Sequence, residues 1–461
     1  MRKTVRVLCL ITAVSLVVLP SALEHCGWLK ENSGFQLDKT CSAIFPALSP
    51  VLDLFSVIAL RSFRWLALLC LPVLVMALFK GRWFCRFICP VGLITEQVVR
   101  LRPHSLPAVK PLPFIHRHLF CLMLGSALIG YPLFLWFDPL SVFNGFLNAW
   151  HRPVTWTSVI SGMGFAVIIV MSYIYPANLC YRICPLGYFQ DLMRELARLV
   201  TKSVLHLRGG LAGLRPAQSA GLSAKRAAEQ GVADTKLGAA FSRFQFLSLA
   251  LGGGIGYLMI MVNRKKRKHI RPPGAIEESS FTALCVRCGN CVNNCPARVL
   301  HPDWTGESGL EGVLTPVLKV EPDYCYEWCN DCAKVCPTGA IKRISLEEKK
   351  NIAFGTAEVL RDKCVAWGSQ QYCKVCQENC PYRAIDLIRN RGVPCPVVRE
   401  DRCRGCGICQ KLCPAPVKSI IVRGCEHRVL ADVKTGRIAA LPGIYPCRLV
   451  RQVNKTVVYS T

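Results

Sequence analysis

Five apolar stretches, each close to the length of a membrane-spanning helix, dominate the hydropathy pattern of this chain. They cover residues 5–23, 61–79, 118–137, 157–176 and 244–262. A helix needs about 20 apolar residues to cross the hydrocarbon core of a bilayer. Two stretches contain a proline, Pro72 and Pro132, which is tolerated in a membrane because neighbouring helices bond the freed carbonyls. The pattern predicts an all-α transmembrane bundle of four or five helices.

The charges between these stretches predict their orientation. Residues 80–117 carry seven Lys and Arg and residues 177–243 carry ten, whereas residues 24–60 carry two and residues 138–156 carry one. Because Lys and Arg accumulate in cytoplasmic loops, the N-terminus and both basic loops are predicted to be cytoplasmic. The first four helices then form two hairpins, and a fifth crossing brings the remainder of the chain to the opposite side.

The rest of the chain divides into a linker and a cysteine-rich domain. Residues 201–243 are rich in Ala, Gly, Leu and Ser, which predicts a linker between a four-helix domain over 1–200 and the fifth helix over 244–262. Residues 271–461 hold 27 basic and 19 acidic residues, so most of the net charge of +28 lies beside the apolar stretches. Membrane topology accounts for that charge, and no nucleic-acid partner is expected.

Sixteen of the 28 cysteines lie in the domain over 270–461 in four blocks that each end in Cys-Pro. Two blocks have the C-x2-C-x2-C-x3-C-P spacing of bacterial ferredoxins, which hold [4Fe-4S] clusters. Zinc sites usually pair C-x2-C units or include histidine, and disulfides require no repeated run with its proline. The blocks therefore predict four [4Fe-4S] clusters, with ligands from Cys285, Cys288, Cys291 and Cys295; Cys325, Cys329, Cys332 and Cys336; Cys364, Cys373, Cys376 and Cys380; and Cys403, Cys406, Cys409 and Cys413.

A charged spacer without cysteines, residues 345–363, separates the four blocks into two pairs. Each pair has the size of a two-cluster ferredoxin, so we expect an α+β polyferredoxin domain made of two such modules. In these ferredoxins a block gives three thiolates to one cluster and its last thiolate to the neighbouring cluster. That crossed pattern groups Cys285, Cys288 and Cys291 with Cys336; Cys325, Cys329 and Cys332 with Cys295; Cys364, Cys373 and Cys376 with Cys413; and Cys403, Cys406 and Cys409 with Cys380.

The membrane half contains an internal repeat of its own. Phe-Cys-Arg-Phe-Ile-Cys-Pro-Val-Gly over 84–92 recurs as Leu-Cys-Tyr-Arg-Ile-Cys-Pro-Leu-Gly over 179–187, each time after an even-numbered stretch. A C-x3-C pair places both sulfurs on one side of a helical turn. If the hairpins pack with pseudo-symmetry, Cys85, Cys89, Cys180 and Cys184 converge on an additional Fe-S or other thiolate metal site. The alternative, simple packing at helix ends, does not require the shared Pro and Gly.

Other cofactors are not expected. None of the nine histidines lies deep in an apolar stretch and the chain has no C-x-x-C-H, so the sequence predicts no haem. The glycine-rich run over 252–256 lies within an apolar stretch and not between a strand and a helix, which favours close helix packing over nucleotide binding. His116 and His118 flank the third stretch, where a solvated loop position is favoured over contact with a quinone head group.

These motifs resemble two known families. The first 200 residues, with two C-x3-C-P motifs, are similar to the NapH-type membrane Fe-S proteins. The domain over 270–461 resembles the NapG/MauM-type polyferredoxins through Arg271-Pro-Pro-Gly-Ala275, Phe281, Cys285-x-Arg-Cys-Gly289 and the long gap from Cys364 to Cys373. The chain therefore resembles a fusion of the two. NapG-type proteins are exported by a twin-arginine signal, and Ser242-Arg-Phe-Gln-Phe-Leu247 resembles such a signal with its second arginine replaced.

The resemblance implies a bacterial inner-membrane electron-transfer protein whose ferredoxin domain lies in the periplasm. Its partners would be membrane lipid, quinol as electron donor, and a reductase or cytochrome as acceptor, in a pathway of the nitrate-reductase type. No substrate chemistry of its own is implied. The alternative is a maturation or regulatory factor for a terminal reductase or oxidase, because copper-delivery proteins share paired C-x3-C-P motifs. Four complete ferredoxin blocks favour electron transfer.

Overall fold

The computed structural model describes residues 46–63, 65–103, 113–149, 156–175, 179–209, 243–262, 269–304 and 308–429, together with positions 7, 8, 11 and 15. The chain forms two compact units. One contains Met1–Val262 and Ala283–Cys288, and the other contains Asn263–Thr282 and Gly289–Thr461. We call residues 1–262 the helical unit and residues 263–461 the cysteine-rich unit, counting Ala283–Cys288 with the cysteine block to which this segment belongs in sequence.

In its described residues the helical unit is all-α, as its apolar pattern predicts. Short 3-10 segments at Trp65–Cys70 and Leu135–Phe137 and a π-helical turn at Leu179–Ile183 join its helices. The α-helices are α1 Pro50–Leu60, α2 Leu71–Lys80, α3 Trp83–Phe87, α4 Pro90–Arg100, α5 His116–Leu128, α6 Pro139–Ala149, α7 Trp156–Ile174, α8 Pro185–Gly209 and α9 Arg243–Val262.

The apolar stretches differ from the predicted spans in length. Stretch 157–176 becomes α7 and stretch 244–262 becomes α9, but 61–79 is divided between the 3-10 segment and α2, where Pro72 lies in the first turn. Stretch 118–137 ends as a helix at Leu128, shortly before Gly130 at φ +94° and Pro132. Stretch 5–23 lies outside the described residues. Among the described helices, α9 is the one long and apolar enough to cross a membrane, and three further apolar helices are shorter.

Each C-x3-C-P motif is followed by a helix that was not predicted from the sequence as a separate element. Pro90 and Pro185 start α4 and α8, because proline fits the first turn of a helix, where its missing N–H costs nothing. Both helices carry an apolar and a polar face. Helix α8 continues to Gly209, past the start of the predicted linker at residue 201. Residues 210–242 lie outside the described residues.

Helices α5 and α9 approach each other so closely that only glycine fits at their contact. A Cβ on Gly252 would lie 2.1 Å from the carbonyl oxygen of Leu122, and one on Gly125 would lie 2.0 Å from that of Leu249. Small residues let helix backbones meet in this way in membrane proteins. The prediction that the glycine run serves helix packing is therefore confirmed, and α9 is an integral part of the helical unit.

The α5–α9 contact predicts opposite effects for two neighbouring glycines. Gly252→Ala should lower the thermal midpoint in detergent, because overpacking costs about 1–3 kcal/mol. Gly254→Ala, the matched control, has no atom within 4 Å of its new Cβ. It should be neutral or stabilising, since alanine favours a helix by about 1 kcal/mol over glycine. Equal midpoints for both variants would contradict the close packing.

The cysteine-rich unit repeats one plan twice, although its strands are short. In the second half, β3 Ile352–Val359 pairs antiparallel with β6 Ile420–Val429, and the hairpin β4 Ile385–Asn390 with β5 Val393–Val398 lies between the third and fourth blocks. In the first half, a single bridge from Ala275 to Ile341 replaces the outer pair, and β1 Leu300–Pro302 pairs with β2 Pro316–Leu318.

Six short helices complete the described part of this plan. They are α10 Glu278–Leu284, α11 Asn290–Asn293, α12 Asp331–Lys334, α13 Leu346–Lys350, α14 Val375–Glu378 and α15 Ile408–Leu412. Helices α11, α12, α14 and α15 each hold a block cysteine, namely Cys291, Cys332, Cys376 and Cys409. The α+β prediction for this domain therefore agrees with its mixed helix and strand content.

Arg271, part of the motif that carries the family resemblance, is fully buried. Its Nε lies 3.0 and 3.1 Å from the two carboxylate oxygens of Glu278, and its Nη1 lies 2.9 Å from Oγ1 of Thr315. The guanidinium also lies over the ring of Phe281, 4.8 Å from its centroid. A buried charge needs this paired and hydrogen-bonded environment. Arg271 thereby fixes the start of the cysteine-rich unit to the segment that leads into β2.

Candidate metal centres

The clearest cysteine set joins the fourth block to the last cysteine of the third. Cys380, Cys403, Cys406 and Cys409 line one cavity, together with Tyr382, Ile385 and Val422. Burial is the first cause that raises the pKa of Cys406, to about 12, and interaction with Cys403 adds to it. The set is the one that the crossed ferredoxin pattern predicts.

The partner set of this module also follows the crossed pattern. Burial raises the pKa of Cys376 to about 12, and Coulombic interactions with Cys373, Cys364 and Cys413 add to the rise. For Cys413 burial acts in the same direction, but hydrogen bonds led by that of Ser419, at 3.2 Å, lower its pKa. Cys413 is thus the thiol of this set whose surroundings favour the thiolate.

The first module brings its blocks together in the same manner. Cys325 and Cys332 both interact electrostatically with Cys295, the last cysteine of the first block. Helix α11 lies beside the end of the second block, where the buried amide of Asn290 donates to the carbonyl of Val335, 3.4 Å away. In the sequence, Asn290 is followed directly by Cys291, and Val335 is followed directly by Cys336. Cys285, Cys288, Cys291 and Cys336 are all buried.

Backbone N–H groups point at several of the block sulfurs. Ile341 N lies 3.4 Å from Sγ of Cys336, Ala384 N lies 3.3 Å from Sγ of Cys380, and Ala357 N lies 3.4 Å from Sγ of Cys403. Hydrogen bonds to ligand sulfurs stabilise the thiolate and are one of the means by which a protein sets the potential of an Fe-S cluster. The backbone therefore supplies donors to sulfurs from three of the blocks.

The donor chemistry of these sets fits a cubane better than a single ion. Within the described ranges, no group of three or more His, Cys, Asp or Glu side chains is placed to hold one metal ion. In a [4Fe-4S] cluster, each of the four iron atoms takes one protein thiolate. The four cysteine sulfurs therefore surround the cluster and do not converge on a single metal ion. The cavity lined by Cys380, Cys403, Cys406 and Cys409 has this character.

The two C-x3-C-P motifs of the helical unit also come together. Cys85 interacts electrostatically with Cys89, Cys180 and Cys184, which places all four thiols in one neighbourhood. The two motif glycines occupy equivalent positions, because a Cβ on Gly92 would lie 2.7 Å from the carbonyl of Cys85 and one on Gly187 would lie 2.8 Å from that of Cys180. Because glycine has no Cβ, the first turn of each helix can pack against the carbonyl of the first cysteine in its motif. This close contact explains why both copies have glycine at this position.

Each repeat also reaches the first cysteine of the other. Gln190, three residues after Gly187, is fully buried and its Nε2 lies 3.1 Å from Sγ of Cys85. Thr95, three residues after Gly92, donates its hydroxyl to the carbonyl of Gly92 at 3.1 Å and also interacts with the thiol of Cys180. Within the described residues, Oε1 of Gln190 has no hydrogen-bond partner, so the amide is held in place by its single bond to sulfur. Thr95 and Gln190 were not predicted from the sequence, although an alignment of the two repeats places them at equivalent positions.

Of the two histidines near the third apolar stretch, one agrees with expectation and the other does not. His118 is exposed, as expected, with Nδ1 at 3.0 Å from Oγ of Ser248 in α9. His116 is buried, and its Nδ1 lies 3.2 Å from the carbonyl of Arg182 within the second motif. The ring packs beside Tyr188, with the centroids 5.2 Å apart. The solvated position predicted for His116 was wrong, because the π-helical turn covers it.

Comparison with known proteins agrees with these centres. A family model described as 4Fe-4S dicluster domain matches residues 284–340, and one described as 4Fe-4S binding domain matches residues 62–107 and 156–203. The second model thus covers each C-x3-C-P motif. No solved structure matches the chain.

Curated relatives match the chain over about a third of its length. The ferredoxin-type protein NapG of Escherichia coli is 38% identical over 176 residues, which is 36% of this chain and 74% of the relative. The methylamine utilization ferredoxin-type protein MauM of Methylorubrum extorquens is 35% identical over 160 residues, 33% of this chain and 70% of the relative. This chain belongs to the NapG/MauM family of ferredoxin-type proteins. The ferredoxin-type protein NapF of Escherichia coli is 30% identical over 152 residues, 84% of its length.

Membership of the NapG/MauM family confirms the coarse identity of the cysteine-rich unit. The chain is an iron–sulfur protein with several [4Fe-4S] clusters, and iron–sulfur electron transfer is its function. All of these relatives are named as ferredoxin-type proteins, and the name of MauM also refers to methylamine utilization. The fusion with a NapH-type membrane protein and the ligand of each cluster remain predictions.

The hydrogen bond from Gln190 to Cys85 leads to a prediction. Gln190→Leu should weaken metal binding at the four-cysteine site of the helical unit, because loss of a group that supports a ligand typically costs about 10–100-fold in affinity. Chelator competition with metal analysis measures this loss. Gln97→Leu removes an exposed amide from α4 and is the matched control. Equal metal retention in the two variants would assign Gln190 to packing alone.

Proposed function

We propose that this protein takes electrons from quinol in the bacterial inner membrane and passes them through [4Fe-4S] clusters to a periplasmic reductase. The observation that carries the proposal is the presence of two kinds of cysteine site in one chain. One kind consists of the four ferredoxin-type cysteine blocks of the cysteine-rich unit, and the other lies among the apolar helices. Models of 4Fe-4S proteins match both halves, and the relatives are ferredoxin-type proteins.

The outward faces of the helical unit support a place in the membrane. Met163, Val167 and Val170 of α7 are each more than half exposed, and so are Phe244 and Leu258 of α9. In water such faces would form large apolar patches that soluble proteins avoid. Polar groups lie inside the unit, where Asn144 and Ser126 are fully buried. An apolar exterior around a polar interior suits lipid, even though several helices are shorter than a single span.

Five clusters follow from this proposal. The cysteine-rich unit would hold four, with the crossed ligand sets given above, and Cys85, Cys89, Cys180 and Cys184 would hold a fifth, for which the matching 4Fe-4S binding model is the support. The clusters supply one-electron chemistry when bound. The chain holds them, shields them from water and supplies N–H donors to their sulfurs, and so sets their potentials. No substrate chemistry of its own is proposed.

The role of the four membrane cysteines is tested by separating two ways of reducing the protein. Cys89→Ser and Cys184→Ser should abolish reduction of the clusters by a quinol analogue and leave reduction by dithionite intact, because electrons enter at this site. Each variant should also lose about four iron atoms, the content of one cubane.

Cys121→Ser is the control for this experiment, since Cys121 is buried in α5 outside both motifs. Bleaching of the visible Fe-S absorption follows the reduction. Unchanged quinol-linked rates in both motif variants would leave these cysteines with a packing role and favour the maturation-factor alternative.

The periplasmic placement of the cysteine-rich unit has its own test. The length of α9 and the family's ferredoxin-type relatives support an outward crossing, whereas Arg264–Lys268, outside the described residues, opposes it because positive charge favours the cytoplasmic side. Alkaline phosphatase fused after Thr461 should be active and a cytoplasm-dependent fluorescent protein fused there should be dark. The reverse result would place the clusters in the cytoplasm.

A further inference from the structure

The segment between the second and third cysteine blocks does more than separate the two modules. Helix α13 forms within it behind the N-cap Ser345, whose Oγ accepts a hydrogen bond from Glu348 N at 3.1 Å while Glu348 accepts one from Ser345 N at 2.6 Å. This capping box fixes the first turn and the direction of the helix. Its position carries Lys349 into the interior, where the residue is only 2% exposed.

The buried ammonium of Lys349 faces the second cysteine block. Its Nζ donates to the carbonyl oxygens of Tyr326 and Cys329, each 2.5 Å away, and lies 3.3 Å from Sγ of Cys325. Electrostatic interaction with Lys349 also reaches Cys329 and Cys332. One cation therefore acts on three thiols that are predicted to bind the same cluster.

Lys349 has no ordinary counter-charge. No carboxylate lies within 4 Å of its ammonium among the described residues of the chain. Removing an ammonium from water costs several kcal/mol unless a charge of opposite sign is near. Carbonyl dipoles satisfy two of its three donors, and the third points at a sulfur. A cluster with four thiolate ligands is anionic and becomes more so with each electron, so it supplies the missing charge.

We propose that Lys349 is a fixed positive charge that raises the reduction potential of the cluster held by Cys325, Cys329, Cys332 and Cys295. The inference rests on the cluster content of the proposed function. The cation stabilises the reduced cluster more than the oxidised one, because the reduced form carries one more negative charge. Reduction moves one electron onto the cluster and leaves every bond of Lys349 in place. The result is a site on which an electron rests more readily than it would without this lysine.

The alternative is a purely structural role, in which the two hydrogen bonds from Lys349 to carbonyl groups serve only to hold the turn at 326–329. In that case, removing the charge should leave the reduction potential of the cluster unchanged. Lys349→Arg keeps the charge, Lys349→Met removes the charge and the donors, and Lys349→Gln removes the charge but keeps an amide donor. Lys350→Gln is the matched control, since Lys350 is the next residue of α13 and its exposed ammonium pairs with Glu347 at 3.1 Å.

The experiment is a redox titration of the full-length protein followed by electron paramagnetic resonance, with iron analysis of every variant. Lys349→Met and Lys349→Gln should lower the equilibrium constant for reduction of one cluster about tenfold, which is about 59 mV for a one-electron couple. Lys349→Arg and Lys350→Gln should leave all potentials in place. If Lys349→Met loses the cluster, the reduction potential measured in Lys349→Gln tests the proposal.

The outcomes separate this inference from the proposed function. A full iron content with an unmoved potential in Lys349→Gln overturns the role of the charge, and so does a shift of the same size in Lys350→Gln. Wild-type protein without iron overturns the proposed function and this inference together. Normal clusters that are not reduced by a quinol analogue overturn the proposed function alone, because the effect of Lys349 on the potential needs no particular donor.

Discussion

The structure of the cysteine-rich unit depends on one constraint, the need to bring thiols from separate blocks of sequence into one shielded volume. No block completes a predicted set by itself, because the fourth thiol comes from the sister block of the same module. Cys380 and Cys403 lie in the lining of one cavity although 22 intervening residues and the β4–β5 hairpin separate them. Each hairpin can thus be understood as the connection that returns the chain to the other half of the set.

The same constraint explains why polar and charged groups are buried around the sulfurs. Thiolates in an apolar interior require donors, and the chain supplies backbone N–H groups, Ser419 and Lys349. Arg271 has a related role at the edge of the unit, where its charge is fully paired with Glu278. The interior is therefore organised by hydrogen bonds at least as much as by apolar packing.

Local spacing allowed the cysteine blocks and the glycine run to be identified from sequence, because both depend on residues a few positions apart. The burial of Lys349 could not be read in the same way, since a charged helix of the sequence Leu-Glu-Glu-Lys-Lys is typical of a solvated surface. Its place depends on contact with a turn 20 residues earlier in the chain. The early end of α5 was missed for another reason: apolar composition continues past Leu128, whereas helical geometry does not. His116 shows the same limit, because only the fold reveals the turn that covers it.

The matching positions of Thr95 and Gln190, each beside the first cysteine of the other repeat, have a consequence for the history of the helical unit. A single repeat would hold two cysteines, so it could not form a complete four-thiol site alone. If the unit arose by duplication, its half-length ancestor would have functioned as a pair of identical chains related by a twofold axis. In the present chain the two sides of the site differ, because a short hydroxyl lies near Cys180 while a longer amide donates to Cys85. Because both repeats lie in one polypeptide, the two sides of the site can be chemically different.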